Sequence, residues 1–196
     1  LPAPPQPDAL YNAFDGRTLM RSVEASLNAL KTDYLDILLL HECSLEALQR
    51  EDVQRTLETL KRAGKVRATG IAATQVETLR IMRSPSARQL DVVQAPANIL
   101  ARQEVDYDVQ SPSILITHST LRPVLDAVTD RLQSDVDFRH EFKRITGADP
   151  NDTGALVNLL LAHALYANPD GVVLFSTLKP QRIKGLKARV READLD

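Results

Sequence analysis

Tyr34-Leu-Asp-Ile-Leu-Leu-Leu-His41 opens a stretch that closes on Gly64-Lys-Val-Arg-Ala-Thr-Gly-Ile-Ala-Ala73. Ile37 to Leu40 is an unbroken apolar run too short for a helix. Such a run predicts a strand buried on both faces, with the polar ring of His41 at its C-terminal end. Between the two blocks, Leu45, Leu48, Val53, Leu57 and Leu60 recur at steps of three to five, which predicts one helix over residues 45–63. Gly64 follows where a left-handed helix cap is needed. Val66 to Ala73 then predicts a second strand. Short apolar strands joined by a helix imply a parallel sheet covered by helices.

Working outward, four prolines in the first seven residues and no periodicity predict an irregular loop, entering a helix capped near Asp15. Leu19, Val23, Leu27 and Leu30 give that helix one apolar face. On the other side, Val76 to Arg83 predicts a helix stopped by Ser84-Pro85, and Asp91-Val-Val-Gln-Ala95 a third strand. Ser113-Ile-Leu-Ile-Thr-His118 predicts a fourth. Residues 123–144 are polar and helical in tendency, broken at Gly147 and Pro150. Ala155 to Ala167 is apolar nearly all round and is expected to be a buried helix. Gly171-Val-Val-Leu-Phe-Ser176 predicts a fifth strand and Pro180 to Val190 a basic helix. In such alternating folds the working face lies at the C-terminal ends of the strands. That rule picks out His41, Ala73, Gln94, His118 and Ser176.

The block from Arg21 to His41, followed by Thr56-Leu-Glu-Thr-Leu-Lys-Arg-Ala-Gly-Lys-Val-Arg-Ala-Thr-Gly-Ile71, closely resembles the middle of the aldo-keto reductases. The resemblance implies a (β/α)8 barrel, an α/β fold, that reduces aldehydes or ketones with NADPH. It covers nearly the whole chain but only the later part of the barrel, the fourth to eighth strands. A barrel of this kind takes about 250 residues, and this chain has 196. We therefore expect one domain, residues 1–196, forming the C-terminal part of such a barrel. Its first three strands would lie upstream of Leu1 or come from a partner chain, the alternative being a decayed fragment. Five strands alone would expose two edges, so the isolated chain is expected to aggregate or form homo-oligomers.

Composition narrows the partners. A net charge of −2 and the absence of Trp offer neither a broad positive field nor stacking platforms for nucleic acid. No apolar run approaches the roughly 20 residues of a membrane span. A single cysteine, Cys43, allows no intrachain disulfide and fits a reducing compartment, which favours the cytoplasm. The partner that the resemblance implies is a small carbonyl compound.

The resemblance assigns roles residue by residue. His41 matches the histidine of the family's Asp-Tyr-Lys-His tetrad, which orients the substrate carbonyl; nothing in this chain matches the other three members. Gln94 matches the glutamine that hydrogen-bonds the nicotinamide carboxamide. His118 falls where the family places a flat side chain over the nicotinamide, with Ser119 and Leu121 following as in its Ser-x-Leu pattern. Ser176-Thr-Leu-Lys-Pro-Gln-Arg-Ile183 resembles the cofactor-phosphate segment, in which Ser176, Thr177 and Arg182 would meet the 2′-phosphate of NADPH. The chain departs from the family where Ala72-Ala73-Thr74 replaces a Ser-Asn pair and Lys184-Gly185 a Glu-Asn pair. The alternative reading is a non-catalytic relative that binds a dinucleotide or a protein. No metal site is expected, because Cys43, His140 and His163 have no partners at ligand spacing.

Overall fold

The computed structural model of the chain describes residues 14–100, 114–177 and 183. These fall into two compact units, residues 14–96 with 114–116 in one and residues 97–100 with 117–177 and 183 in the other.

In the first unit, helix α1 (Gly16–Leu30) starts at Asp15, whose carboxylate accepts from Thr18 N at 2.9 Å and so satisfies one free donor of the first turn. Its predicted face is buried at Leu19, Val23 and Leu27, whereas Leu30 is exposed. Strands β1 (Leu35–His41), β2 (Val66–Ala72) and β3 (Val92–Pro96) run parallel and adjacent in that order. Asp91 lies just before β3 and fixes its start: its carboxylate accepts from Thr69 N at 2.8 Å and Lys61 Nζ at 2.6 Å. Its main-chain oxygen accepts from Ile114 N, the first residue of β4 (Ile114–His118).

The helix expected over residues 45–63 is two helices, α2 (Leu45–Leu48) and α3 (Glu51–Arg62). The break falls at Arg50, extended with ψ 127°, whose guanidinium pairs with Asp52 at 3.0 and 3.1 Å. Asp52 also accepts from Gly16 N at 3.0 Å, so the start of α3 anchors the start of α1. The Arg50 guanidinium and the Gly16 amide hold the Asp52 carboxyl down at about 2. Gly64, after α3, has φ 70°, the left-handed conformation its position demands. Helix α4 (Gln75–Met82) is followed by a 3₁₀ turn, Pro85–Gln89.

Strand β1 is not buried on both faces. Leu40, Ile71 and Val93 stand in register and pack with Leu19, Leu48, Val53 and Ile81 of the helices. Each such side chain contributes about 1.5–3 kcal/mol on burial. The alternate residues point the other way, where Ile37 is 44% and Ile114 49% exposed. The helices of this unit cover one face of its sheet, and the apolar run continues on both. Gly70 sits in the middle of β2 because a Cβ there would lie 1.9 Å from the Val92 carbonyl oxygen.

In the second unit, α5 (Arg122–Ser134), α6 (Val136–Thr146) and α7 (Thr153–Ala167) share a core of Val124, Leu132, Leu156 and Leu160, with Phe138 and Phe142 against it. The helical tendency over residues 123–144 is interrupted at Asp135, which is extended and caps α6 by accepting from Phe138 N at 2.9 Å. Gly147, with φ 68°, ends α6 where expected. Helix α7 departs from its expected burial. Leu156, Leu160, Leu161 and Ala164 are buried, but Leu165 is 40% and Tyr166 87% exposed, because only the side that meets its helical neighbours is covered. Strand β5 is only Val172–Val173, shorter than the expected residues 171–176. Leu174 N donates to Thr117 O at 2.7 Å beside it. The helix expected over residues 180–190 lies outside the described residues, apart from Ile183. No helix among the described residues is long and apolar enough to cross a membrane.

Candidate functional site

The ends of β1, β2 and β3 form a level rim. His41 pairs in register with Ala72, and Ala72 with Gln94. Register partners in parallel strands project from one face, and Leu40, Ile71 and Val93, one residue earlier, project into the core. His41 and Gln94 therefore share the face turned away from the helices, with a small alanine between them. His41 is exposed and Gln94 half-buried. Among the described residues neither side chain has a hydrogen-bond partner, so an imidazole and a carboxamide stand free on one rigid edge. The amide offers a donor and an acceptor together, and the neutral imidazole one of each.

The chain leaves this rim through a strained turn. Glu42 has φ 54°, a left-handed conformation that costs a residue with a Cβ about 1–2 kcal/mol. Its N–H donates to Ala72 O at 2.6 Å, which fixes the turn on the strand side. On the far side Ser44 caps α2 by accepting from Ala47 N at 3.1 Å, and Leu45 N donates to Glu77 Oε2 of α4, also at 3.1 Å. A hydrogen bond to a charged group contributes about 1.5–3 kcal/mol, enough to offset the turn. Cys43, between these anchors, is fully buried. Burial first and the Glu77 charge second push its thiol up to about 12. It is a packing residue, not a nucleophile.

The next loop carries Ala72-Ala73-Thr74. Ala72 and Ala73 are buried, Ala73 N donates to Gln94 O at 3.3 Å, and the Thr74 hydroxyl is committed to capping α4 through Glu77 N at 3.3 Å. This loop offers no free side-chain amide where the Ser-Asn pair was replaced.

The second unit places His118 at the end of β4, with its Nδ1 2.8 Å from the Ser119 hydroxyl. Ser119 is left-handed, φ 60°, so both strand-end histidines are followed by a left-handed residue other than glycine. Leu121 precedes α5 as its cap residue, and that helix start has no side-chain cap. Thr120 between them is buried, and its hydroxyl has no hydrogen-bond partner among the described residues. Ser176 is exposed and Thr177 half-buried. Arg182 lies outside the described residues.

The aldo/keto reductase family model matches residues 12–110, half of the chain. The chain belongs to the aldo-keto reductase family. Among solved structures it is similar to the glycerol dehydrogenase of Gluconobacter oxydans, at 18% identity and TM-score 0.63, over 90% of this chain and 60% of that one. It is similar to an aldo-keto reductase of Brucella melitensis at 17% identity and TM-score 0.60, over 89% and 62%. A third, an aldo-keto reductase of Bacillus halodurans, shares 20% identity at TM-score 0.57, over 90% and 62%. The chain thus spans about three-fifths of the length of these family structures. No curated protein matches it.

Of the residue types in the expected tetrad, a histidine, His41, ends β1, in register with Ala72. Tyr34 is at the opposite end of that strand, under the Arg67 guanidinium at 3.9 Å, and Tyr166 is on the exposed side of α7. Tyr11 and Tyr107 lie outside the described residues. Two features were missed in the sequence: the left-handed turn at Glu42, which nothing in the residue types announces, and the role of Glu77. The second had a signal, because Thr74-Gln-Val-Glu77 is a helix-start pattern. No group of residues among those described could hold a metal ion.

Proposed function

We propose that this chain forms the later part of a (β/α)8 barrel of the family, residues 1–196 being its C-terminal portion, and that the barrel reduces aldehydes or ketones to alcohols with NADPH. The supporting observation is the rim itself, with His41 and Gln94 side by side, in register and unengaged. NADPH would supply the hydride. The Gln94 carboxamide matches the nicotinamide carboxamide donor for acceptor. The His41 ring would hold the carbonyl oxygen by a hydrogen bond while the carbon receives the hydride. The proton that this oxygen then needs would come from the family's tyrosine, with its lysine and aspartate, on strands outside this chain, whether of the same polypeptide or of a partner. In the second unit, His118, Ser119 and Leu121 would contact the cofactor, and Ser176, Thr177 and Arg182 its 2′-phosphate. A small carbonyl compound as substrate and a cytoplasmic location complete the proposal.

Titration of the full-length protein with NADPH, followed by addition of an aldehyde, tests this reading. NADPH should bind, Gln94→Ala should weaken it by up to about 10-fold, the range of one neutral hydrogen bond, and the aldehyde should consume it. The alternative reading is a non-catalytic family member that binds a dinucleotide or a protein partner without turnover. NADPH binding with no consumption by the full-length protein would select it.

A further inference from the structure

We infer that Glu77 is a positioning residue for His41: its carboxylate latches the loop after β1 and so maintains the left-handed turn that aims the imidazole from the strand end. The inference rests on reading His41 as a site residue. Thr74-Gln-Val-Glu77 has the form of a capping box, in which the glutamate turns back to the N–H of its own cap residue. Thr74 plays its half, accepting from Glu77 N at 3.3 Å. The carboxylate goes elsewhere. One oxygen accepts from Leu45 N, 32 positions back along the chain, and the other from Arg80 Nη1 at 2.6 Å. Arg80 reaches on to Glu46 at 2.7 Å, so the first two residues of α2 are both tied to α4.

This tie matters because the turn it closes is short and strained. Only Glu42 and Cys43 separate His41 from the Ser44 cap, and Glu42 is left-handed. A strained residue persists where its surroundings over-determine it. On the strand side the Glu42 N to Ala72 O bond does so. On the other side α2 has four residues, too few to hold its own conformation, and depends on the Glu77 carboxylate for its first N–H. With the latch removed, the turn can relax toward ordinary backbone angles and carry the His41 ring off the rim, while Gln94, on another strand, keeps its place.

The test compares Glu77→Ala with Glu77→Ala/Glu42→Gly in the full-length protein, reading amide hydrogen exchange and the NMR resonances of the His41 ring and Gln94 amide. Glu77→Ala should speed exchange at Leu45 and Glu42 by about 10-fold or more and move the His41 resonances, leaving those of Gln94 in place. Adding Glu42→Gly should return the His41 resonances, since glycine holds a positive φ without the steric cost, while Leu45 stays fast. Unmoved His41 resonances in Glu77→Ala, or a displacement that Glu42→Gly does not reverse, would overturn the inference and leave Glu77 as a plain anchor of α2. Should Glu77→Ala not fold, Glu77→Met removes both acceptor oxygens at similar side-chain length, and the same two results decide. The readout is ring position, so a parent without turnover would sink the carbonyl-reduction proposal and leave this test standing.

Discussion

The two units present strand ends of different kinds. In the first, three strands in continuous register carry His41 and Gln94 on a backbone whose other face is filled by Leu40, Ile71 and Val93. In the second, the helices α5 to α7 share a smaller core, β5 is two residues long, and apolar side chains such as Tyr166, Leu174 and Phe175 are exposed. Register converts sequence position into side-chain position, so the strands specify which face of the first rim His41 and Gln94 share, and the Glu42 turn adds the aim of the His41 ring. The second rim relies on loop geometry, the left-handed Ser119 and its contact with His118, for the same task.

The largest expected effect concerns how tightly the first unit is closed. A thiol lifted from 9.0 to about 12 carries about a thousandth of the usual thiolate, and Cys43 is fully buried besides. Alkylation of the native protein at pH 8 should therefore be at least about a thousand-fold slower than that of a free thiol, becoming ordinary in denaturant. Fast native labelling would mean that the loop behind His41 opens freely and that the contrast between the units is overstated.

Substitution at the sheets and surfaces should divide the units next. Gly70→Val puts a Cβ against the Val92 carbonyl oxygen, which neither strand can yield without breaking register, and should cost about 3 kcal/mol or more in urea unfolding. Tyr166→Ser, on the exposed side of α7, should stay within about 0.5 kcal/mol. A large loss at Tyr166 would show that this face is covered in solution.

These contrasts also mark what could be read from the sequence. The strands and the ends of most helices were legible because apolar runs, periodicity and glycines such as Gly64 and Gly147 act locally. The breaks at Arg50 and Asp135 were not, since each depends on a side chain closing a hydrogen bond that periodicity does not encode. The exposure of Ile37 and Tyr166 was also hidden, because an apolar side chain carries no sign of which face its neighbours cover. His41 and Gln94 were legible as strand-end residues. Their shared face needed the register, and the turn at Glu42 needed the backbone.

The smallest of these effects is a pH dependence. The folded Asp52 carboxyl, at about 2, lies below the roughly 3.9 of an unfolded aspartate, so its contribution is fully present above about pH 4 and is lost as the pH falls toward 2. Thermal melting of the parent should therefore drop more steeply between pH 4 and pH 2 than that of Asp52→Asn. Parallel curves would mean that the junction of α1 and α3 does not depend on this charge.

The claim that the first rim is the reactive edge is tested most directly by His41→Ala in the full-length protein, with thermal melting and steady-state kinetics on the same preparation. An exposed rim ring makes few core contacts, so the melting temperature and NADPH affinity should stay near those of the parent, while turnover of an aldehyde should fall by about 100-fold or more. A large fall in melting temperature with unchanged turnover per folded molecule would contradict the account and make His41 a structural residue.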